Sequence, residues 1–225
     1  MDGYLLIDKE QDWTSSDVVC KLRGVLHEKR IGHAGTLDPM ATGLVVVMIG
    51  KGCKSSAELM GHGKEYLCSL RPGTVTDTQD IWGTVLEKNE VCFTEEEFIK
   101  TLRSFTGDLE QIPPMYSAIK INGQKLYKIA RKGGEVEREP RRIHIYSIDY
   151  LGRDGEDFLL DIKCSSGTYV RTLCHDIGAA LGCGACMSAL RRTRVGNASV
   201  EDAHKIGEVT EDMVLPLGTP LTDFI

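Results

Sequence analysis

A chain of 225 residues with 41% hydrophobic and 27% charged residues can bury one sizeable core and reads as a soluble globular chain. No basic-then-apolar leader opens it and no apolar run nears the length of a membrane span, so the expected compartment is the cytoplasm, with no membrane partner. The net charge of −6 argues against a uniformly basic nucleic-acid binder, yet Lys120–His144 holds eight Lys/Arg against three Asp/Glu, a local +5 that leaves −11 for the rest. Such a stretch on an acidic body suits a one-sided contact with phosphates, and it equally suits a solvated basic loop.

Taken in chain order, Gly3–Lys9 is a strand-like apolar run. Ser15–Lys29 is predicted as a helix, capped by Ser15 or Ser16, with Val18, Val19, Leu22, Val25 and Leu26 on one face. Leu44–Ile49 is a continuous apolar run of strand length, expected to be buried on both sides. Lys64–Leu70 is a further strand. Thr94 to Glu97 carries a capping-box signature, and Phe98, Leu102 and Phe105 supply the stripe of a helix ending at Gly107. Ile143–Leu151 and Phe158–Cys164 alternate and read as a hairpin closed by Gly152–Asp157. Thr168–Leu181 is predicted as a helix with Val170, Leu173, Ile177 and Leu181 on one side. Strands and helices mix without strict βαβ alternation, which indicates an α+β fold.

The eight cysteines lack a secretion signal and are expected to be reduced. Cys183 and Cys186 form a Cys-x-x-Cys, but no second ligand pair stands at zinc spacing, so the pair is read as structural and no metal is expected.

The stretch GHAGTLDPMATG, Gly32 to Gly43, places Asp38 between a Gly-flanked histidine and a proline, just ahead of the apolar run. Its glycines permit backbone angles other residues avoid, and Pro39 pushes Asp38 toward an extended conformation. A carboxylate held this way can project from a loop into a cleft; the same residues also make an ordinary turn feeding a strand.

The whole string resembles the signature of TruB-type tRNA pseudouridine synthases. KEYLCSL with Tyr66, TDTQDIWG from Thr76, QIPPMYSAIKINGQKLYKIARKGGEV from Gln111, CSSGTYVRTLCHDIGAALGCGA from Cys164 and SALRRTRVG from Ser188 resemble the family in the same order, from about Gly3 to Gly196. Two departures, Glu10 where relatives usually have proline and Pro72 where a leucine is usual, lie outside the catalytic set. The resemblance implies one catalytic domain over residues 1–225, built on a mixed, largely antiparallel central sheet with flanking helices. It also implies a basic RNA-gripping insertion at about 113–142. Longer relatives carry a C-terminal PUA domain, for which this chain is expected to leave little room.

The implied activity is isomerisation of uridine to pseudouridine in the T-arm of tRNA, at position 55, without cofactor or metal, by a monomer. The implied catalytic residues are Asp38 as the carboxylate, Tyr66 stacking on the flipped uracil, and Arg171 as the guanidinium partner of Asp38. A neutral phenol, with a pKa of about 10, is a poor base, which favours stacking and positioning for Tyr66. The substrate-binding set comprises His33, which resembles the family histidine entering the RNA stack, Leu190 lining the uracil pocket, and Lys64, Tyr169, Arg141, Arg142 and Arg191. On pattern alone Arg191, Arg192 and Arg194 make either phosphate contacts or a solvated charge run. Three rivals remain open on sequence: an RNA chaperone with a vestigial site, a nucleoside or glycoside hydrolase using Asp38 with Asp77 or Asp80 as second carboxylate, and a guide-RNA-dependent synthase sharing the Asp38 motif.

Overall fold

The computed structural model describes residues 1–121 and 123–223. Its elements run β1 (Gly3–Lys9), α1 (Ser15–Val25), β2 (Ile31–His33), β3 (Thr42–Ile49), α2 (Ser56–Gly61), β4 (Lys64–Pro72), β5 (Thr74–Thr76) and β6 (Val85–Lys88). They continue α3 (Glu95–Ser104), β7 (Gly107–Gln111), β8 (Lys120–Ile121), β9 (Gln124–Lys125), α4 (Leu126–Ala130), β10 (Arg141–Asp154), β11 (Asp157–Cys164), α5 (Val170–Ala180), β12 (Ala185–Val195) and β13 (Ala198–Ser199). The main sheet has the strand order β1-β3-β12-β4-β11-β10-β7, with β2 also on β3 and β13 on β12. β3 runs antiparallel to β1 and β2 but parallel to β12, and β10 runs antiparallel to β7. This is the mixed, largely antiparallel α+β fold expected.

The chain divides into two compact units. The first comprises Met1–Leu67, Lys163–Ser166 and the chain from Leu190 onward; the second comprises Cys68–Ile162 and Gly167–Ala189.

In the first unit β3 is apolar along its length because both of its faces are covered: Leu44, Val45, Val47 and Ile49 are fully buried. One of those faces joins Tyr4, Leu6, Ala34, Val195 and Ala198 in a core cluster. α1 buries Val18, Val19 and Leu22. Its cap is Thr14, one residue before the expected serines: the Thr14 hydroxyl accepts from the Asp17 N–H, while Asp17 accepts from the Thr14 N–H. The Ser15 hydroxyl is spent elsewhere, accepting from the Leu37 N–H at 2.9 Å. The helix stops at Val25 and not at Lys29: the Leu26 N–H makes the last helical bond, to the Leu22 carbonyl, and His27 then turns left-handed at φ +50°.

In the second unit α3 carries the expected capping box of Thr94 and Glu97. It buries Phe98, whose ring meets Phe93, Tyr150 and Phe158. β10 and β11 extend further than the alternation suggested, so the turn shrinks to Gly155–Glu156, with Gly155 at φ +59°. α5 begins at Val170, two residues later than expected, and is followed by Gly182 at φ +79°. Cys183 and Cys186 are both buried free thiols, and burial pushes Cys186 up to about 12, so it behaves as a small apolar side chain.

Candidate active site

The loop between β2 and β3 is built by its neighbours before it presents Asp38. The Ala34 N–H donates to the Val46 carbonyl, Ser15 takes the Leu37 N–H, the Ala41 N–H donates to the Asp38 carbonyl, and Pro39 accepts from the Asp12 N–H. Asp38 is half-buried at the turn. Gly43 closes the loop at φ +100°, where a Cβ would stand 2.3 Å from the Arg192 carbonyl oxygen. The glycine is therefore required by the close approach of β12, with which it is in register.

Around this loop the first unit gathers buried polar groups. Lys9, 1% exposed at the end of β1, donates to the carbonyls of Glu10 and Trp13 at 3.0 and 2.7 Å. Burial pulls its ammonium down to about 8, against the charge of Asp38, which favours the cation. Tyr66 on β4 is 7% exposed, and burial drives its phenol up to about 12 although the Arg192 cation and hydrogen bonding oppose this. The charge of Asp38 also reaches Tyr66 and raises it further. Lys64, on the same face of β4, is buried with its ammonium on the carbonyls of Met60 at 2.8 Å and His62 at 2.5 Å, and burial pulls it down to about 8. His33 ends β2 half-buried; burial lowers its pKa, the Gly35 main chain opposes this, and the Arg192 charge adds to it. The balance favours the neutral imidazole.

β12 contributes Leu190 and Arg192 to one face, both buried. The two alternatives open on sequence, phosphate contact or solvated charge, fail for Arg192. Its side chain is 1% exposed, with Nε on the Leu44 carbonyl at 2.7 Å, Nη2 on Gly35 at 3.2 Å and Nη1 on Thr36 at 3.5 Å. Arg191 faces the other way and forks onto both Asp8 carboxylate oxygens at 2.9 Å. Sequence reasoning missed Lys9 and Arg192 as site residues. The signal for Arg192 was its two-residue spacing from Leu190 on a strand, which puts both on one face.

The remaining candidates belong to the second unit. Arg171, in the first turn of α5, is 4% exposed and therefore not a solvent-facing helix residue. Its Nη1 donates to the Thr78 carbonyl at 3.0 Å and lies 3.6 Å from Asp80, and its Nη2 donates to the Tyr116 carbonyl at 2.9 Å. Asp80 also accepts from the Thr78 hydroxyl and the Trp82 N–H, and Asp77 accepts from the Thr84 N–H. Both carboxylates thus have structural work within their own turn. Tyr169 precedes α5, and the Gln111 amide bonds both of its main-chain groups. Arg141 and Arg142 are exposed at the start of β10. In the basic segment Tyr127 lies beneath two cations, Lys125 and Arg131, at 5.6 and 5.5 Å from the ring centre. Among the described residues no group of three or more His, Cys, Asp or Glu side chains is arranged to hold a metal ion. No helix among them is long and apolar enough to cross a membrane.

Comparison with known proteins places this chain among relatives. The family model described as TruB family pseudouridylate synthase (N terminal domain) matches residues 23–170, and that described as tRNA pseudouridylate synthase B C-terminal domain matches residues 171–219. The chain is 50% identical over 217 residues to tRNA pseudouridine synthase B of Opitutus terrae, covering 96% of this chain and 90% of that protein. It is 44% identical over 215 residues to tRNA pseudouridine synthase B of Clostridium tetani, covering 95% and 74%. Among solved structures it is similar to a chain of a Cbf5-Nop10-Gar1 complex, with TM-score 0.75, 28% identity, and coverage of 96% of this chain and 60% of that one. An H/ACA RNP bound to a substrate RNA containing 2′-deoxyuridine gives TM-score 0.71 and 26% identity, covering 96% and 59%. The chain thus spans somewhat under two thirds of those structural relatives.

Proposed function

The chain belongs to the TruB family of pseudouridylate synthases, isomerases of RNA, and from that premise we propose that it converts uridine to pseudouridine at position 55 in the T-arm of tRNA. The reaction breaks the bond from N1 of uracil to C1′ of ribose, turns the base and joins C5 to C1′. C5 loses a proton and N1 gains one, so composition and oxidation level are unchanged and the chemistry calls for no redox group.

The observation that carries this reading is the Asp38 loop, a half-buried carboxylate on a backbone held from several sides, whose charge acts on buried Lys9 and Tyr66. A carboxylate so held meets the need for an ionised group fixed beside the sugar or base. Attack on C6 of the base, attack on C1′, and assistance of elimination to a glycal all use the same group in the same state. Arg171 is the guanidinium this reading assigns to the Asp38 carboxylate. Tyr66, with its phenol near 12, is unsuited to accept the C5 proton at neutral pH and serves by stacking. Base stacking is worth about 1–3 kcal/mol, which offsets part of the flipping cost of a few kcal/mol. His33 is the wedge that fills the vacated place in the RNA stack, and Leu190 lines the uracil pocket. Tyr169, Arg141, Arg142 and Arg191 contact RNA, with residues 113–142 as the gripping segment of one catalytic domain, while Lys64, buried with its ammonium on the Met60 and His62 carbonyls, supports the substrate site instead of reaching a phosphate. The protein acts as a cytoplasmic monomer that selects its own substrate. Its 50% identity to a tRNA pseudouridine synthase B, against 28% to the Cbf5 chain, supports independent action.

The test is tritium release from unmodified tRNA carrying 5-tritiated uridine, for wild type and Asp38→Asn, with the product mapped by carbodiimide-dependent reverse-transcription stops. Release with a single T-loop stop, absent in a variant that still binds RNA, is expected. Tight binding without release, or liberation of free uracil, would overturn the reading in favour of a chaperone or a hydrolase respectively.

A further inference from the structure

Arg192 and Lys9 are the charged residues among the large, fully buried side chains of the described residues. Removing a guanidinium from water is costly, so its hydrogen bonds show what the fold gains by keeping it. Three of those bonds go to main-chain carbonyls on either side of Asp38: Gly35 and Thr36 in the loop before it, and Leu44 in β3 after it. The main chain of Arg192 grips the same loop, in register with Gly43 and too close for any other residue there. Gly35 lies beneath the guanidinium: a Cβ at that position would stand 3.6 Å from Arg192 Nη1 and 3.8 Å from Lys64 Cε.

We propose that Arg192 is a positioning residue, which staples the start of the loop to β3 beyond it and so holds the Asp38 carboxylate where the rearrangement needs it. The inference rests on the reading of Asp38 as the catalytic carboxylate. A planar fork can serve three carbonyls in different directions, whereas a lysine ammonium in the same place keeps the charge but not the staple. Charge alone is therefore separable from positioning. The cation also lowers the pKa values of Lys9, His33, Lys64 and Tyr66, as expected of a group at the centre of the cluster.

The experiment is Arg192→Lys in the full chain, followed by single-turnover tritium release, RNA binding and thermal unfolding. A misplaced carboxylate slows chemistry without loosening the RNA, so the expected result is a rate about 10–100-fold below wild type for the folded fraction, with RNA affinity within about threefold. A wild-type rate overturns the proposal, and so does a rate loss matched by weaker RNA binding or by the unfolded fraction. Should Arg192→Lys not fold, Gly35→Ala strains the loop beside the guanidinium through its φ of +97°, without a steric clash. The same split is expected there, and a wild-type rate overturns the proposal. Failure of the functional reading is distinct, because wild type itself would then release no tritium.

Discussion

Replacing Gly43 by alanine tests the packing on which the site depends. At φ +100° an L-residue is strained by about 1–2 kcal/mol. Its Cβ would also meet the Arg192 main chain, at 2.3 Å from the oxygen and 2.8 Å from the nitrogen. These are backbone atoms of a paired strand and cannot swing aside as a side-chain tip would. Overpacking of this kind costs about 1–3 kcal/mol. Together the loss is about 2–5 kcal/mol, a large part of a typical domain's stability of about 5–15 kcal/mol. For a chain this long it lowers Tm by about 4–20 °C. Urea unfolding and thermal melts of wild type and Gly43→Ala measure it. Gly24 is the control: it is exposed in α1, and a methyl group there would have nothing within 4 Å, so Gly24→Ala should stabilise by about 0.5–1 kcal/mol. A Gly43→Ala protein within about 0.5 kcal/mol of wild type would refute the close approach of β3 and β12.

Lys9 should leave a signature in the pH dependence of stability. Its proton is lost near 8 in the folded chain but held to the ordinary 10.5 when unfolded, so between those values the unfolded state binds more protons and stability rises with pH. The difference in urea stability between wild type and Lys9→Met should change by about 3 kcal/mol in favour of wild type from pH 8 to 10.5; a flat difference would refute a buried ammonium. For RNA binding, alanine at Arg141 and Arg142 should weaken affinity and make the dependence of log K on log salt shallower, by about 0.7–0.9 for each phosphate no longer neutralised. An unchanged slope would remove those two arginines from the RNA interface.

Much of this protein was legible one segment at a time. The Thr94–Glu97 capping box, the uninterrupted apolar run of β3 and the alternation of β10 and β11 are local signals, and each became the element it indicated. The Asp38 motif was legible too, since its glycines permit backbone angles other residues avoid and its proline restricts Asp38, whatever surrounds the loop. Boundaries moved where a side chain had a distant use. Ser15 was unavailable as a cap because its hydroxyl holds Leu37, which nothing near Ser15 in sequence reveals.

What the sequence by itself determined is therefore the elements with strong local signals and the loop that presents Asp38, because helix caps, strand periodicity and glycine conformations act within a few residues; β12, which carries Arg192, gave no such signal. Only the tertiary structure decided that Lys9 and Arg192 are interior cations and that Arg191 forks onto Asp8. Three neighbouring arginines have the same local chemistry. Their fates diverge because a parallel pairing brings residue 192 against residue 43, and the energy of a charge depends on which backbone carbonyls that pairing places around it.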